Sequence, residues 1–142
     1  MNMTTILKKE RHGAVMVWTL DQPETRNALT GNNAADEFVQ ACDEVARDLS
    51  VRAVVLTGAG PVFSSGHDLS EMTGGTVNEY RRLFDVCTRL MTAVQSIPQP
   101  VIAEVQGVAT AAGCQLVASC DLAVASTEAR FATPGVNIGL FC

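Results

Sequence analysis

At 142 residues the chain has the size of one ordinary domain, long enough to close a hydrophobic core without disulfide or metal staples. Its 47% hydrophobic and 18% charged residues exclude the composition of a disordered chain. Ten Lys+Arg against fifteen Asp+Glu, a net charge of −5, give no overall positive field for a phosphate backbone, so nucleic acid is not expected as a partner. No apolar run exceeds the five residues Ala14 to Trp18, too few for a membrane span or the core of a signal peptide, and no membrane partner is expected. The five cysteines are odd in number and contain no CxxC pair, as reduced thiols do, and with the missing signal segment they predict a cytoplasmic location. His12 and His67 are the only histidines and neither is spaced for shared ligation with a cysteine, so no metal site is expected.

Along the chain, a polar start leads to Ala14–Leu20, a β-branched apolar strand that stops at the turn cluster Asp21-Gln22-Pro23. From Asn33 to Leu49 apolar residues recur at helical spacing with charges opposite, predicting an amphipathic helix. Val51–Thr57 reads as a second strand closed by Gly58-Ala59-Gly60-Pro61, and Val62–Ser70 as a loop of small and polar residues. A second long helix follows, with the stripe Tyr80, Leu83, Phe84, Cys87, Leu90, Met91, Val94 and Ile97, ended by Pro98 and Pro100. Val101–Val105 is a short strand, Gly107–Gly113 a small-residue segment, Cys114–Ser119 the opening of a helix and Leu122–Ala125 a further strand. This alternation predicts an α/β fold of parallel strands joined by right-handed crossovers, with functional loops at the carboxyl ends of the strands. The end of the chain, Val136 to Cys142, is apolar; it reads either as a short element docked on the core or, the reading preferred here, as a stop inside a larger fold.

Several nucleotide and hydrolase motifs fail. The third glycine of a dinucleotide fingerprint begun at Gly58 and Gly60 would fall on Phe63, and there is neither a Gly-Lys-Ser/Thr loop nor a G-x-S-x-G elbow. Two segments at strand ends remain, Phe63-Ser64-Ser65-Gly66-His67-Asp68-Leu69 and Gly107 through Cys114. Their small residues let backbone N–H groups approach a bound group, and two such donors on a carbonyl oxygen make an oxyanion hole. The same residues also suit ordinary tight turns and helix–sheet packing, and spacing alone leaves both readings open.

Arg26-Asn27-Ala28-Leu29, Phe63 through Met72, and Gly107 through Asp121 together resemble the enoyl-CoA hydratase/isomerase (crotonase) family, in family order and spacing over nearly the whole chain. The resemblance implies an α/β, crotonase-like ββα spiral that is incomplete, the C-terminal helical region being absent, with residues 1–142 an acyl-CoA-binding domain. It implies an acyl-CoA substrate, no cofactor beyond the CoA that is part of that substrate, and a homotrimer or hexamer for the full-length protein. Arg26, Ala28 and Leu29 match the segment lining the CoA nucleotide; Ser65, Asp68, Leu69 and Ser70 belong to the loop holding adenine and pantetheine. His67 and Ala112 match the two backbone oxyanion donors, with alanine at Ala112 where the family usually has glycine.

The departures concern proton transfer. Gln115 stands where the hydratase pattern has one glutamate and Gly135 where it has the second. Glutamine orients water but exchanges no proton near neutral pH, and general acid–base catalysis contributes ~10²–10⁴-fold. The implied function is acyl-CoA binding with enolate stabilisation, hydration being doubtful; the alternatives are a non-catalytic CoA-binding or scaffold member, and a generic α/β domain without a CoA site. The His67 imidazole is expected to be solvated, Asp68 and Glu71 to be first-turn helix carboxylates, and Asp121 to make a structural hydrogen bond.

Overall fold

The computed structural model describes residues 5–29 and 31–140. Strand β1 (Leu7–His12) pairs antiparallel with β2 (Val15–Leu20), and helix α1 (Gly31–Arg47) then leads to β3 (Ala53–Gly58). From there the chain winds in turns. Each turn lays one strand in a large sheet and a shorter one in a small sheet, then returns by a helical segment. The first is β3, β4 (Val62–Ser64) and α2 (Val77–Ser96); the second is β5 (Val101–Val105), β6 (Val108–Thr110) and α3 (Ala112–Ser119). The third is β7 (Leu122–Ala125), β8 (Arg130–Ala132) and the 3-10 turn Pro134–Ile138. The large sheet has the order β1-β2-β3-β5-β7 and the small one β4-β6-β8. The expected ββα spiral is therefore present.

Trp18, Leu56, Ala103 and Ala123 stack across the large sheet in register. Trp18, Leu56 and Ala103 are fully buried, and Phe38 of α1 meets the Trp18 ring edge-on at 6.5 Å. Such an aromatic pair contributes about 0.5–1.5 kcal/mol beyond its area burial. Helix α2 begins three residues before the apolar stripe because Thr76 and Glu79 form a reciprocal capping box.

Two expectations are corrected. The strands are not all parallel: the polar start contains β1, exposed apart from Leu7 and so without an apolar pattern. It is held by its ladder to β2, by Glu37 Oε2 accepting the N–H groups of Ile6 (2.8 Å) and Leu7 (3.0 Å), and by ion pairs Lys9–Glu44 and Arg11–Asp48. Charges suit an edge strand, since they oppose pairing with a further chain. Secondly, the two small-residue loops contain β4 and β6, and with β8 these form a sheet that was not anticipated, because three-residue strands carry no readable period. In the apolar C-terminal segment Val136 and Ile138 are exposed while Ile138 and Leu140 border a cavity; Phe141 and Cys142 lie outside the described residues.

Candidate active site

The carboxyl ends of the three small-sheet strands open side by side. Ser65 and His67 follow β4, Ala111 and Ala112 follow β6, and Pro134 and Gly135 follow β8; all six line one cavity of ≈ 490 Å³. Phe84, Cys87 and Thr88 of α2, Leu69 and Met72 of the 3-10 turn 69–72, and Ile138 and Leu140 close its apolar sides, and Gln115 of α3 borders it. No Asp or Glu is among the lining residues.

The loops are locked to one another through the backbone. Gly66 has φ +84°, and a Cβ there would stand 2.8 Å from Ala112 N and 2.9 Å from Thr110 O, so only glycine lets the β4 loop reach the start of α3. Gly113 is under the same pressure from the other side, its Cβ position falling 2.4 Å from Ser64 O. Thr110 Oγ1 donates to Ser65 O at 3.1 Å, and Ala111 N donates to Ala132 O at 2.9 Å, tying the second loop to the first and third. Ala111 sits at φ 51°, ψ −124°, a strained conformation for alanine of the kind that clusters at functional sites and costs ~1–3 kcal/mol. Ala112 opens α3, so its N–H has no acceptor within the helix and lies at the positive end of the helix dipole. Among the described residues, neither the His67 N–H nor the Ala112 N–H enters the turn and ladder hydrogen bonds that fix these loops.

The remaining residues singled out in the sequence fall around this cavity rather than in it. Arg26 is exposed in a left-handed turn at φ 57°, and Ala28 is buried, bridged to Gly66. Leu29 borders a small void on the far side of His67, together with Ala34, Ala35, Leu83 and Leu90. Asp68 caps the turn 69–72 by accepting the Ser70 N–H at 2.8 Å, which holds its carboxyl below the ordinary range. Asp68 and Ser70 are exposed, as is Leu69, which nonetheless lines the cavity. Asp121 accepts the Val101 N–H at 2.8 Å, the structural bond expected of it.

Sequence reasoning missed the role of Asn27. Fully buried at φ 52°, its Oδ1 accepts the Gln22 N–H at 2.9 Å while Nδ2 donates to Ala59 O at 2.9 Å and Val62 O at 2.8 Å. Its carbonyl accepts the Ser64 hydroxyl at 2.8 Å. One side chain thus joins the Arg26–Leu29 turn to both ends of the β3–β4 connection; its place between two motif residues was the one available signal. The His67 imidazole departs from the solvated side chain expected: it is half-buried, its ring 6.4 Å from that of Phe84, and desolvation lowers its pKa from the ordinary 6.5 despite an opposing pull from Glu71. Burial pushes the Cys87 thiol up, so it is protonated at neutral pH.

The two-layer spiral carries a pocket at the ends of its short strands, bordered by His67 and Ala112. Residues 10–142 match the enoyl-CoA hydratase/isomerase family model, and the chain belongs to that family. It is 50% identical over 142 residues to the frog (Xenopus laevis) protein named enoyl-CoA hydratase domain-containing protein 3, mitochondrial, covering 97% of this chain and 46% of that one. It is 36% identical to the short-chain-enoyl-CoA hydratase of Clostridium acetobutylicum, covering 92% and 50%. The crystal structure of an enoyl-CoA hydratase from Mycobacterium smegmatis superposes with a TM-score of 0.90 at 48% identity, covering 96% of this chain and 54% of that one. The chain spans about half the length of the curated relatives it matches. The cytoplasmic expectation is overturned: the relatives from frog, zebrafish and human are named mitochondrial. Cysteines without a CxxC pair do not distinguish the cytosol from another reducing compartment.

Proposed function

We propose that residues 1–142 form the acyl-CoA-binding part of an enoyl-CoA hydratase/isomerase-like protein that holds an acyl-CoA thioester and stabilises its enolate. One observation carries the reading: the loops after β4 and β6 bring the His67 and Ala112 backbones to one apolar cavity, locked by Gly66 and Gly113. The thioester oxygen accepts from these two N–H groups, each such donor contributing ~2.7–4 kcal/mol to a developing oxyanion. Ser65 and Leu69 border the acyl and pantetheine arm, while exposed Arg26, beside Ala28 and Leu29, and the Asp68–Ser70 turn face the nucleotide end. The full-length protein assembles as a homotrimer or a hexamer built from trimers.

Hydration of the ordinary two-glutamate kind is not part of this function, because Gln115 and Gly135 occupy both positions and the cavity wall carries no carboxylate among the described residues. That same observation supports the second reading, a member that binds CoA ligands without turnover. Calorimetric titration of the full-length protein with butyryl-CoA tests the site: saturable binding supports it, and a flat titration to millimolar ligand overturns both readings. Crotonyl-CoA hydration near the ~10 s⁻¹ of a typical enzyme would overturn the exclusion of hydration.

A further inference from the structure

Where the family pattern has two carboxylates this cavity has none among the described residues, yet its wall includes the histidine His67. His67 lines the cavity with Ala112 and also borders the small void toward α1; its half-buried side chain sets the ring 6.4 Å from that of Phe84, another residue of the cavity wall. We infer that the His67 side chain is the proton-transfer group of this site, removing and returning the α-proton of the bound thioester whose oxygen its own backbone N–H holds. The inference rests on the proposed acyl-CoA site.

The step needs no further reactant. The α C–H bond breaks, its proton goes to the unprotonated imidazole nitrogen, and its electron pair forms the C=C bond of the enolate as the carbonyl π pair moves to oxygen. The two N–H donors hold that oxygen until the imidazolium returns a proton to the same carbon. In heavy water the returned atom is a deuteron.

The surroundings keep the ring in the form a base requires. Facing it from α1 are Ala34 and Ala35, and from α2 Leu83, Phe84, Val86, Cys87 and Leu90; among these Cys87 alone titrates, and its thiol stays protonated. From the turn 69–72 the Glu71 carboxylate draws the pKa up, but burial outweighs it and the ring is neutral at pH 7. A neutral base is the useful protonation state. One imidazole supplies enolisation, whereas hydration also requires a group to activate water, so the inference is consistent with the proposed exclusion of hydration.

The test is α-deuterium incorporation into butyryl-CoA in heavy water, followed by mass spectrometry, with the full-length protein, His67→Gln and His67→Asn; both variants keep the backbone N–H. We expect wild-type exchange that rises with pH through the His67 titration and then levels. In each variant with a wild-type melting profile, exchange should fall at least ~100-fold while the Kd for butyryl-CoA changes by less than about threefold. Exchange within about threefold of wild type in either folded variant overturns the inference, as does a wild type that binds butyryl-CoA but exchanges nothing. Absence of wild-type binding overturns the acyl-CoA site itself.

Discussion

Replacing Asn27 by alanine should cost about 4–5 kcal/mol. The side chain is fully buried, and its loss strands the Gln22 N–H and the carbonyls of Ala59 and Val62, which it meets at 2.9, 2.9 and 2.8 Å. These groups are half-buried, so water reaches them in part, and each lost bond then counts for ~1 kcal/mol. Alanine also tolerates the left-handed backbone at φ 52° less well than asparagine, adding about 1–2 kcal/mol. Urea denaturation of the full-length protein, with the slope checked for constancy, measures the change. Asn27→Asp makes the reasoning sharper. It retains the acceptor for Gln22 but turns a carboxylate oxygen toward two carbonyls, so the folded state favours the protonated acid and its pKa rises above the unfolded ~3.9. Stability of this variant should therefore fall as pH rises through and above that value. A loss below about 1 kcal/mol for Asn27→Ala, or an Asn27→Asp variant indifferent to pH between 4 and 7, would refute the account of Asn27 as the joint between the loops.

Gln115→Glu combined with Gly135→Glu should raise crotonyl-CoA hydration by ~10²-fold or more, and a rate unchanged from wild type would mean that the cavity lacks more than its carboxylates. Gly113→Ala should destabilise by about 1–3 kcal/mol and weaken butyryl-CoA binding together, because the added methyl meets Ser64 O at 2.4 Å and displaces the Ala112 N–H; a variant with wild-type melting and affinity would show that this contact is soft. His67 should add a pH dependence to stability. Its folded pKa lies below the ordinary 6.5, so the unfolded chain binds the proton first, and the neutral ring's contribution is complete above 6.5 and lost as pH falls through the folded pKa. His67→Gln should flatten thermal stability in that window, above the range where carboxylates such as Glu44 titrate, and an unchanged profile would contradict burial of the ring.

What could be read in advance depended on period and length. The helix α2 announced itself by an unbroken apolar stripe, and only its first turn was missed, since Thr76 and Glu79 act through a capping box that lies outside the stripe. The large sheet was visible in β2, β3, β5 and β7 because each is a near-continuous apolar run, although β7 is exposed along its whole length. Strand β1 was not, since its stability comes from pairing and from charges bound to α1, which no local pattern records. The small sheet was invisible for a different reason. Val62–Ser64, Val108–Thr110 and Arg130–Ala132 are each too short to show a period, and they become strands only when stacked on one another. The loops of the site were recognisable by motif, but the arrangement that gathers Ser65, Ala111 and Pro134 around one cavity is the work of that unseen sheet.

The construction also explains why membership of the family and the reaction performed can separate. The proposed oxyanion donors are backbone groups, and their meeting depends on Gly66, Gly113, Asn27 and the register of three short strands. Changing any of these disturbs the fold and the donor geometry at once. Gln115 is exposed at the cavity edge, and Gly135 has no side chain, so neither supports the loops through side-chain packing. Those positions can lose their acids while the polarising site stays whole. His67 belongs to both groups: its N–H is fixed by the scaffold, whereas its ring, set against Phe84, is free to vary in chemistry without moving that N–H. A proton-transfer group carried by the residue that also supplies one proposed oxyanion donor keeps base and enolate oxygen in register without an acid at position 115. For this reason the deuterium exchange of the His67 variants, compared with hydration by the two-glutamate variant, separates the chemistry the scaffold imposes from the chemistry its side chains select.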